Sequence, residues 1–346
     1  MVRRSADTQS DQLHDLSFLS PNPTNGILHP YRKAAAGAVG LKHVIDCKGA
    51  NEMRFTLWNT GADVDEFFTL AEAADATGWS SMCLNEAVFQ PIDVNSKYPF
   101  SADGKRFWPT DNPYLEPMTI LPAIAARTSL TVYPFVTKLS LRDPLLFANQ
   151  VKTASLMADG RFSLGVGMSW MREEYEFCGI DWDSRRERFV EMIEIIRLAI
   201  SGEVVEFHGD VFDLPPFQQS PGVKEQVPIL MGGHKPWSLR TAATIADGWC
   251  GVPKEMSEIE ATAREVLAQV ELAGRDVSTF QLHAGAIDAR TTDDYKRLAD
   301  AGITDAVVMP WMADDIADSA GSGMESATAA KTESLKRFAD EVISHF

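Results

Sequence analysis

Hydrophobic positions along this chain switch repeatedly between two periods. Met53–Trp58 reads as a buried strand, and the next apolar residues, Phe67, Leu70, Ala71 and Ala74, fall at helical spacing. Asp63 stands where a helix cap belongs, with Glu66 three residues on as a capping box, and Gly78 supplies the stop. The unit then repeats. Trp79–Leu84, Leu130–Val136, Arg161–Val166, Pro228–Met231, Trp249–Val252, Phe280–Ile287 and Asp305–Met309 read as further strands. Between them lie helical stripes such as Phe189, Met192, Ile193 and Ile196, or Leu239, Ala242, Ala243 and Ala246. Asp143-Pro144 reads as a cap followed by a first-turn proline, and Ser184 with Glu187 and Ser257 with Glu260 read as two more capping boxes.

Two segments break the rhythm. Glu203–Asp213 alternates about His208-Gly209-Asp210 and reads as a small hairpin inserted between strands four and five. Ala313–Ala330 is rich in Ala, Ser, Gly and Asp and reads as flexible, ahead of a last helix carrying Leu335, Phe338, Val342 and Ile343. Eight strands alternating with helices are most economically closed into an α/β TIM (β/α)8 barrel over residues 53–346. An open, doubly wound sheet is the alternative. Its dinucleotide-binding form wants G-x-G-x-x-G after the first strand, which is absent here.

Composition changes the picture at one end. Residues 1–52 mix Ser, Asn, Pro, Gly and charges without periodicity, so they read as a disordered N-terminal extension. No apolar run follows Met1-Val2-Arg3-Arg4, which argues against a secretory signal, and Asp7, Asp11 and Asp15 argue against a transit peptide. The formal net charge of −17 makes nucleic acid and anionic membrane poor partners. The four cysteines, Cys47, Cys83, Cys178 and Cys250, show no CxxC, which fits a reducing cytoplasm. The histidines form no metal-ligand spacing, so no metal site is expected.

In a barrel of this kind the chemistry sits at the C-terminal strand ends. Those ends hold Trp58, the pair Asn85-Glu86, Val136-Thr137-Lys138, Gly165 to Trp170, Met231 to Lys235 and Trp249 to Gly251. This rim is aromatic and glycine-rich, and it suits a flat heterocycle better than a sugar or a metal. Gly165 and Gly167 remove two Cβ atoms and let a ligand approach the backbone, although the stretch also reads as a glycine-kinked core strand. Ser169 and Trp170 follow at once. Gly232-Gly233-His234-Lys235 precedes a helix starting at Pro236, an arrangement that reads as a phosphate seat or as a plain turn. Asn85 and Glu86 are the candidate proton-handling pair; an acid salt-bridged at the mouth is the other reading. Pro134 lies within strand three and implies a bulge.

Several segments together resemble the bacterial luciferase-like oxidoreductases. They are Arg142-Asp143-Pro144, Asp159-Gly160-Arg161-Phe162 through Gly165-Val166-Gly167, and Trp170-Met171-Arg172-Glu173-Glu174-Tyr175. Gly179-Ile180-Asp181 with Arg185 to Arg188, Phe207-His208-Gly209, Pro228 to Gly233 and Ala246-Asp247-Gly248-Trp249 also match. Tyr98-Pro99-Phe100-Ser101-Ala102-Asp103-Gly104 is similar to a loop of the subgroup that uses the deazaflavin F420. The resemblance implies a barrel enzyme with F420 or FMN at its C-terminal mouth, transferring hydride to, or oxygenating, a small organic substrate. It implies a ring resting on the bulge of strand three, often through a non-proline cis peptide, a phosphate near the loops after strands four and five, and a homodimer. The site residues are then Trp58, Pro134, Val136, Thr137, Gly165, Gly167, Ser169, Trp170, Met231, Gly232, Gly233, His234 and Lys235 for the cofactor, and Asn85 with Glu86 for catalysis. Relatives commonly carry Asp-His where this chain has Asn85-Glu86. A flavin-binding barrel without turnover is the competing reading.

Overall fold

The computed structural model describes residues 53–60, 63–106, 108–312 and 324–346; the N-terminal extension lies outside the described residues. Eleven strands are formed: β1 (Arg54–Asn59), β2 (Ser81–Leu84), β3 (Thr131–Pro134), β4 (Thr137–Lys138), β5 (Leu164–Gly167), β6 (Val204–His208), β7 (Asp213–Gln218), β8 (Ile229–Gly232), β9 (Gly248–Cys250), β10 (Gln281–Ala284) and β11 (Asp305–Val308). Nine of them make one parallel sheet in the order β3-β2-β1-β11-β10-β9-β8-β5-β4. Its two ends, β3 and β4, are successive halves of one strand, broken at the cis peptide Phe135-Val136. A parallel bridge from Val132 to Phe162 joins the β3 half to the chain entering β5. The sheet therefore closes on itself as an eight-position cylinder. The open doubly wound alternative is excluded.

Helices α1 (Val64–Ala76), α2 (Pro117–Ala125), α3 (Pro144–Met157), α4 (Arg172–Phe177), α5 (Arg185–Ala199), α6 (Pro236–Ile245), α7 (Met256–Leu272), α8 (Thr292–Asp300) and α9 (Met324–Glu341) run between or after the strands. The apolar stripes read from spacing are the buried faces: Phe67, Leu70, Ala71 and Ala74 on α1, and Phe189, Met192, Ile193 and Ile196 on α5. Each large side chain so buried contributes about 1.5–3 kcal/mol. Between sheet and helices this makes one continuous core. A second cluster, Cys83, Tyr133, Phe135, Leu230, Cys250 and Val307 with Trp58 and Val136, packs separately. It draws alternate residues from neighbouring strands, so it fills the inside of the cylinder.

Local details depart from the sequence reading. Asp63 accepts the Glu66 N–H at 2.8 Å, but the Glu66 carboxylate takes Lys331 Nζ at 2.6 Å and ties α1 to α9 instead of completing a box. Ser184 makes no side-chain cap bond. Neither does the start of α7 take its cap from Ser257; the Met256 N–H goes to Asp288 at 2.8 Å. The inserted hairpin, β6 with β7, runs on to Gln218, and its two prolines are tolerated in a two-stranded ribbon. Residues 324–330 are helical rather than flexible, while 313–323 fall outside the described residues.

Candidate active site

The floor of the C-terminal mouth is built by strand three. Pro134 cannot donate to the ladder, β3 stops there, and pairing resumes at Thr137 with Val166. The bulge turns Val136 toward three glycines. A Cβ on Gly167 would stand 2.6 Å from Val136 Cγ2, and one on Gly232 would stand 3.1 Å from Val136 Cγ1. A Cβ on Gly165 would meet the Pro134 carbonyl oxygen at 1.9 Å. The room that spacing reserves for a ligand beside Gly165 and Gly167 is thus taken by strand three itself. Val136 and Trp58 are left partly exposed above buried Phe135, as an apolar shelf. The Trp58 indole N–H donates to Asn85 Oδ1 at 2.7 Å, which fixes the ring.

One wall is a closed polar network. Glu86, next to Asn85, turns away from it: its carboxylate accepts the Lys138 backbone N–H at 2.7 Å and the Arg142 guanidinium at 2.5 and 3.2 Å. The structure thus does not bring Asn85 and Glu86 to one point. Burial pushes the Glu86 carboxyl up, and Arg142 and Lys138 pull it partly back. Lys138 Nζ pairs with Glu174, whose other oxygen takes the Ser169 hydroxyl. Ser169 Oγ in turn accepts the Met171 N–H at 2.9 Å, so its hydroxyl serves the start of α4. Thr137 is buried, and its hydroxyl has no partner.

The opposite wall is open. Met231 is buried in the core, while Gly232, Gly233 and His234 are partly exposed and Lys235 is exposed. Gly233 adopts φ +121°, and its carbonyl accepts the Trp249 indole N–H at 2.8 Å. Trp249 itself is fully buried. Lys235 caps α6 by position only, with no side-chain bond to the helix amides. His234 Nε2 accepts the Val252 N–H at 3.1 Å, so the ring proton sits on Nδ1. That Nδ1 is buried without a partner. Burial, aided by Lys254 and opposed by Glu258, holds the ring at about 4, so it is neutral at pH 7.

A feature not drawn from spacing spans the two walls. The loop after β2 sends Tyr98 against Trp170, with ring centroids 5.2 Å apart, and Phe100 against His234 at 5.7 Å. Its base is clamped by Glu173, which accepts the N–H groups of Asn95 and Ser96 at 2.7 and 3.0 Å. Burial alone would raise the Glu173 carboxyl; bonds from the Ser96 hydroxyl and these amides outweigh it and hold it at about 2. The loop motif Tyr98 to Gly104 was the signal available in the sequence. Among the described residues, no helix is long and apolar enough to cross a membrane, and no group of three His, Cys, Asp or Glu side chains is placed to hold a metal.

A closed β/α cylinder with its aromatic and polar groups gathered at the strand C-termini is the architecture of barrel enzymes. The chain belongs to the luciferase-like monooxygenase family, whose profile matches residues 51–341. A Mycobacterium tuberculosis protein, Rv0940c, is 37% identical over 257 residues, covering 74% of this chain and 88% of that one. In three dimensions the chain is similar to the F420-dependent tetrahydromethanopterin reductase of Methanopyrus kandleri, with a TM-score of 0.64 at 16% identity over 85% of this chain and 99% of that one. It is equally similar to the monooxygenase RslO1 of Streptomyces bottropensis, with a TM-score of 0.64 at 18% identity over the same shares. At such identities the likeness establishes the fold.

Proposed function

We propose that the protein is an oxidoreductase that holds F420 or FMN at the C-terminal mouth and acts on a small organic substrate. Family membership supports the class of chemistry, and the two open-wall features support the cofactor. The carrying observation is the unspent Nδ1–H of His234, a neutral donor beside an uncapped helix start and Gly233. That combination suits a phosphate, because bare amides and the helix dipole favour an anion while the neutral imidazole adds a fixed hydrogen bond. Lys235 adds charge at the rim. The Trp58–Val136 shelf suits the flat face of a tricyclic ring, and the unpartnered Thr137 hydroxyl and Trp170 are further residues we assign to it.

The bound cofactor supplies the redox step, a hydride for F420 or oxygen transfer for FMN. The chain's own residues prepare the mouth. Asn85 sets the plane of Trp58, and Glu86 holds Arg142 and the β4 backbone in register, so both act on the site by positioning. Gly165, Gly167 and Gly232 admit Val136 to the shelf, and buried Met231 backs the turn into Gly232. The Tyr98–Phe100 loop excludes water from above. Titration of the protein with FMN and with F420, followed by quenching of cofactor fluorescence, tests this reading. Saturable quenching by one of them is expected; the absence of binding by both overturns it.

A further inference from the structure

Beneath the shelf, aromatic rings continue into the cylinder. Phe135 lies 6.0 Å from Trp58 between centroids, and Tyr133 lies 6.4 Å from Phe135. Tyr133 is fully buried, and the reaction proposed above makes no use of it. Its hydroxyl stands 3.0 Å from His283 Nδ1. The other ring nitrogen, Nε2, faces two acceptors: Gln281 Oε1 at 3.0 Å and Asp305 Oδ2 at 3.2 Å. Nε2 therefore carries the ring proton, and Nδ1 is left to accept from the phenol. The Asp305 carboxylate is gripped by the Arg54 fork at 2.9 and 2.7 Å. Burial lowers His283 to about 4 against the pull of Asp305, so the imidazole is a neutral acceptor at pH 7. The Thr56 hydroxyl and the thiols of Cys83 and Cys250 also face the phenol.

We propose that Trp58, Phe135 and Tyr133 form a path that withdraws an oxidising equivalent from the mouth into the barrel, with Tyr133 as the sink and His283 as its proton acceptor. The proposed function enters only as the source of the oxidant, an oxygen-derived radical at a redox site. The path belongs to the polypeptide alone. The oxidant takes one electron from Trp58. Tyr133 returns one electron to Trp58, with Phe135 as the bridging ring and not itself oxidised. The Tyr133 O–H bond breaks, and its proton passes to His283 Nδ1, within the reach such transfers need. The products are a neutral phenoxyl and an imidazolium facing the Asp305 carboxylate. Without that base, oxidation would strand a cationic phenol in an apolar interior, at high cost. The arrangement therefore favours Tyr133 over an isolated buried tyrosine as the resting place of the oxidising equivalent.

Pulse radiolysis with azidyl radicals, which oxidise accessible indoles, tests the path on the full chain without cofactor. In the unsubstituted protein the indole radical is expected to decay as a tyrosyl signal grows, at a rate independent of protein concentration. Tyr133→Phe is expected to remove one component of that growth and to leave those of Tyr98 beside Trp170 and Tyr175 beside Trp182, at 5.2 and 5.1 Å between centroids. His283→Gln is expected to slow the Tyr133 component and to abolish its solvent deuterium effect, a change that a packing role would not produce. Trp58→Phe reads the entry point and is expected to reduce the yield of the same component. A growth phase of equal rate and yield in Tyr133→Phe or Trp58→Phe overturns the proposal, as does its absence from the unsubstituted protein. Because no cofactor is added, the outcome is independent of the FMN and F420 titrations.

Discussion

The two walls of the mouth are made of similar residues and treat them differently. On the β2–β4 side, Glu86, Arg142, Lys138, Glu174 and Ser169 spend their charges and hydroxyl on one another. On the β8–β9 side, His234 keeps a donor in hand and Lys235 points to solvent. Buried polar groups in a native fold are almost always satisfied, so the unpartnered His234 Nδ1 supports the proposed phosphate seat. The closed network acts as scaffold, and the leftover groups, His234 Nδ1 on one side and the Thr137 hydroxyl on the other, are the ones the proposed cofactor would use. Charge alone does not separate them: the cations Lys138 and Arg142 lie in the closed wall.

The hardest way to break the scaffold is at Gly165. Its missing Cβ is 1.9 Å from a backbone oxygen, which cannot move without moving strand three. Gly165→Val is expected to abolish folding, because overpacking against backbone exceeds the ~1–3 kcal/mol typical of side-chain crowding. Loss of the cooperative thermal transition and of the soluble fraction checks it. Next comes Arg142→Met, which leaves Glu86 buried without its counter-charge at a cost of about 3–5 kcal/mol. Arg142 is the largest influence holding the Glu86 carboxyl down, so its loss raises that carboxyl further. The folded state then binds more protons than the unfolded chain above the ordinary carboxylate range, and stability falls as pH rises there. The variant's deficit in urea unfolding is expected to be smaller at pH 5 than at pH 8.

The open wall should behave in the opposite way. His234→Phe removes the acceptor of the Val252 N–H, worth about 1 kcal/mol of stability. It also removes the free donor, and cofactor affinity is expected to fall about tenfold, or ~1.4 kcal/mol. Calorimetric titration beside a thermal melt separates the two effects. A variant that lost stability and kept its affinity would move His234 into the scaffold.

Sequence patterning captured the cylinder because its strands and helices are coded locally. Asp143 caps α3 as spacing implies, and Asp63 caps α1. The capping boxes expected at Ser184 and Ser257 do not form: the Ser184 hydroxyl donates to the Asp181 carbonyl at 2.9 Å, and α7 begins before Ser257, its first amide taken by Asp288 from 32 residues away. The glycines were legible as gaps, but what fills them was not. Val136 is about thirty residues from both Gly165 and Gly167 in sequence, and the pairing of β4 with β5 across a whole helix brings them together. Tyr133 and His283, 150 residues apart, meet inside the closed cylinder. Asn85 and Glu86 were legible as a polar pair, but they follow the end of β2 and are claimed by partners distant in sequence, Trp58 for Asn85 and Lys138 with Arg142 for Glu86.

The loop that bridges the walls gives the gentlest test, because its clamp is one carboxylate holding two backbone amides. Glu173 has a folded-state carboxyl at about 2 against an ordinary 4.5. A depressed carboxyl stabilises the folded arrangement fully above its unfolded value, and the contribution is lost as pH falls through the folded one. The clamp on Asn95 and Ser96 is therefore expected to hold at pH 5 and to weaken progressively from about pH 4.5 toward pH 2. Hydrogen exchange at those two amides reads it directly: protection, corrected for intrinsic rates, should fall across that window and stay flat above it. Glu173→Gln keeps the size but removes the charge, so protection should start lower and lose its acid dependence. Because the loop carries Tyr98 to Trp170 and Phe100 to His234, the same substitution should speed cofactor association and dissociation together, with little change in affinity. A loop that kept full protection in the variant would be held by its aromatic contacts instead, and the bridge would then be part of the scaffold and not a hinged cover.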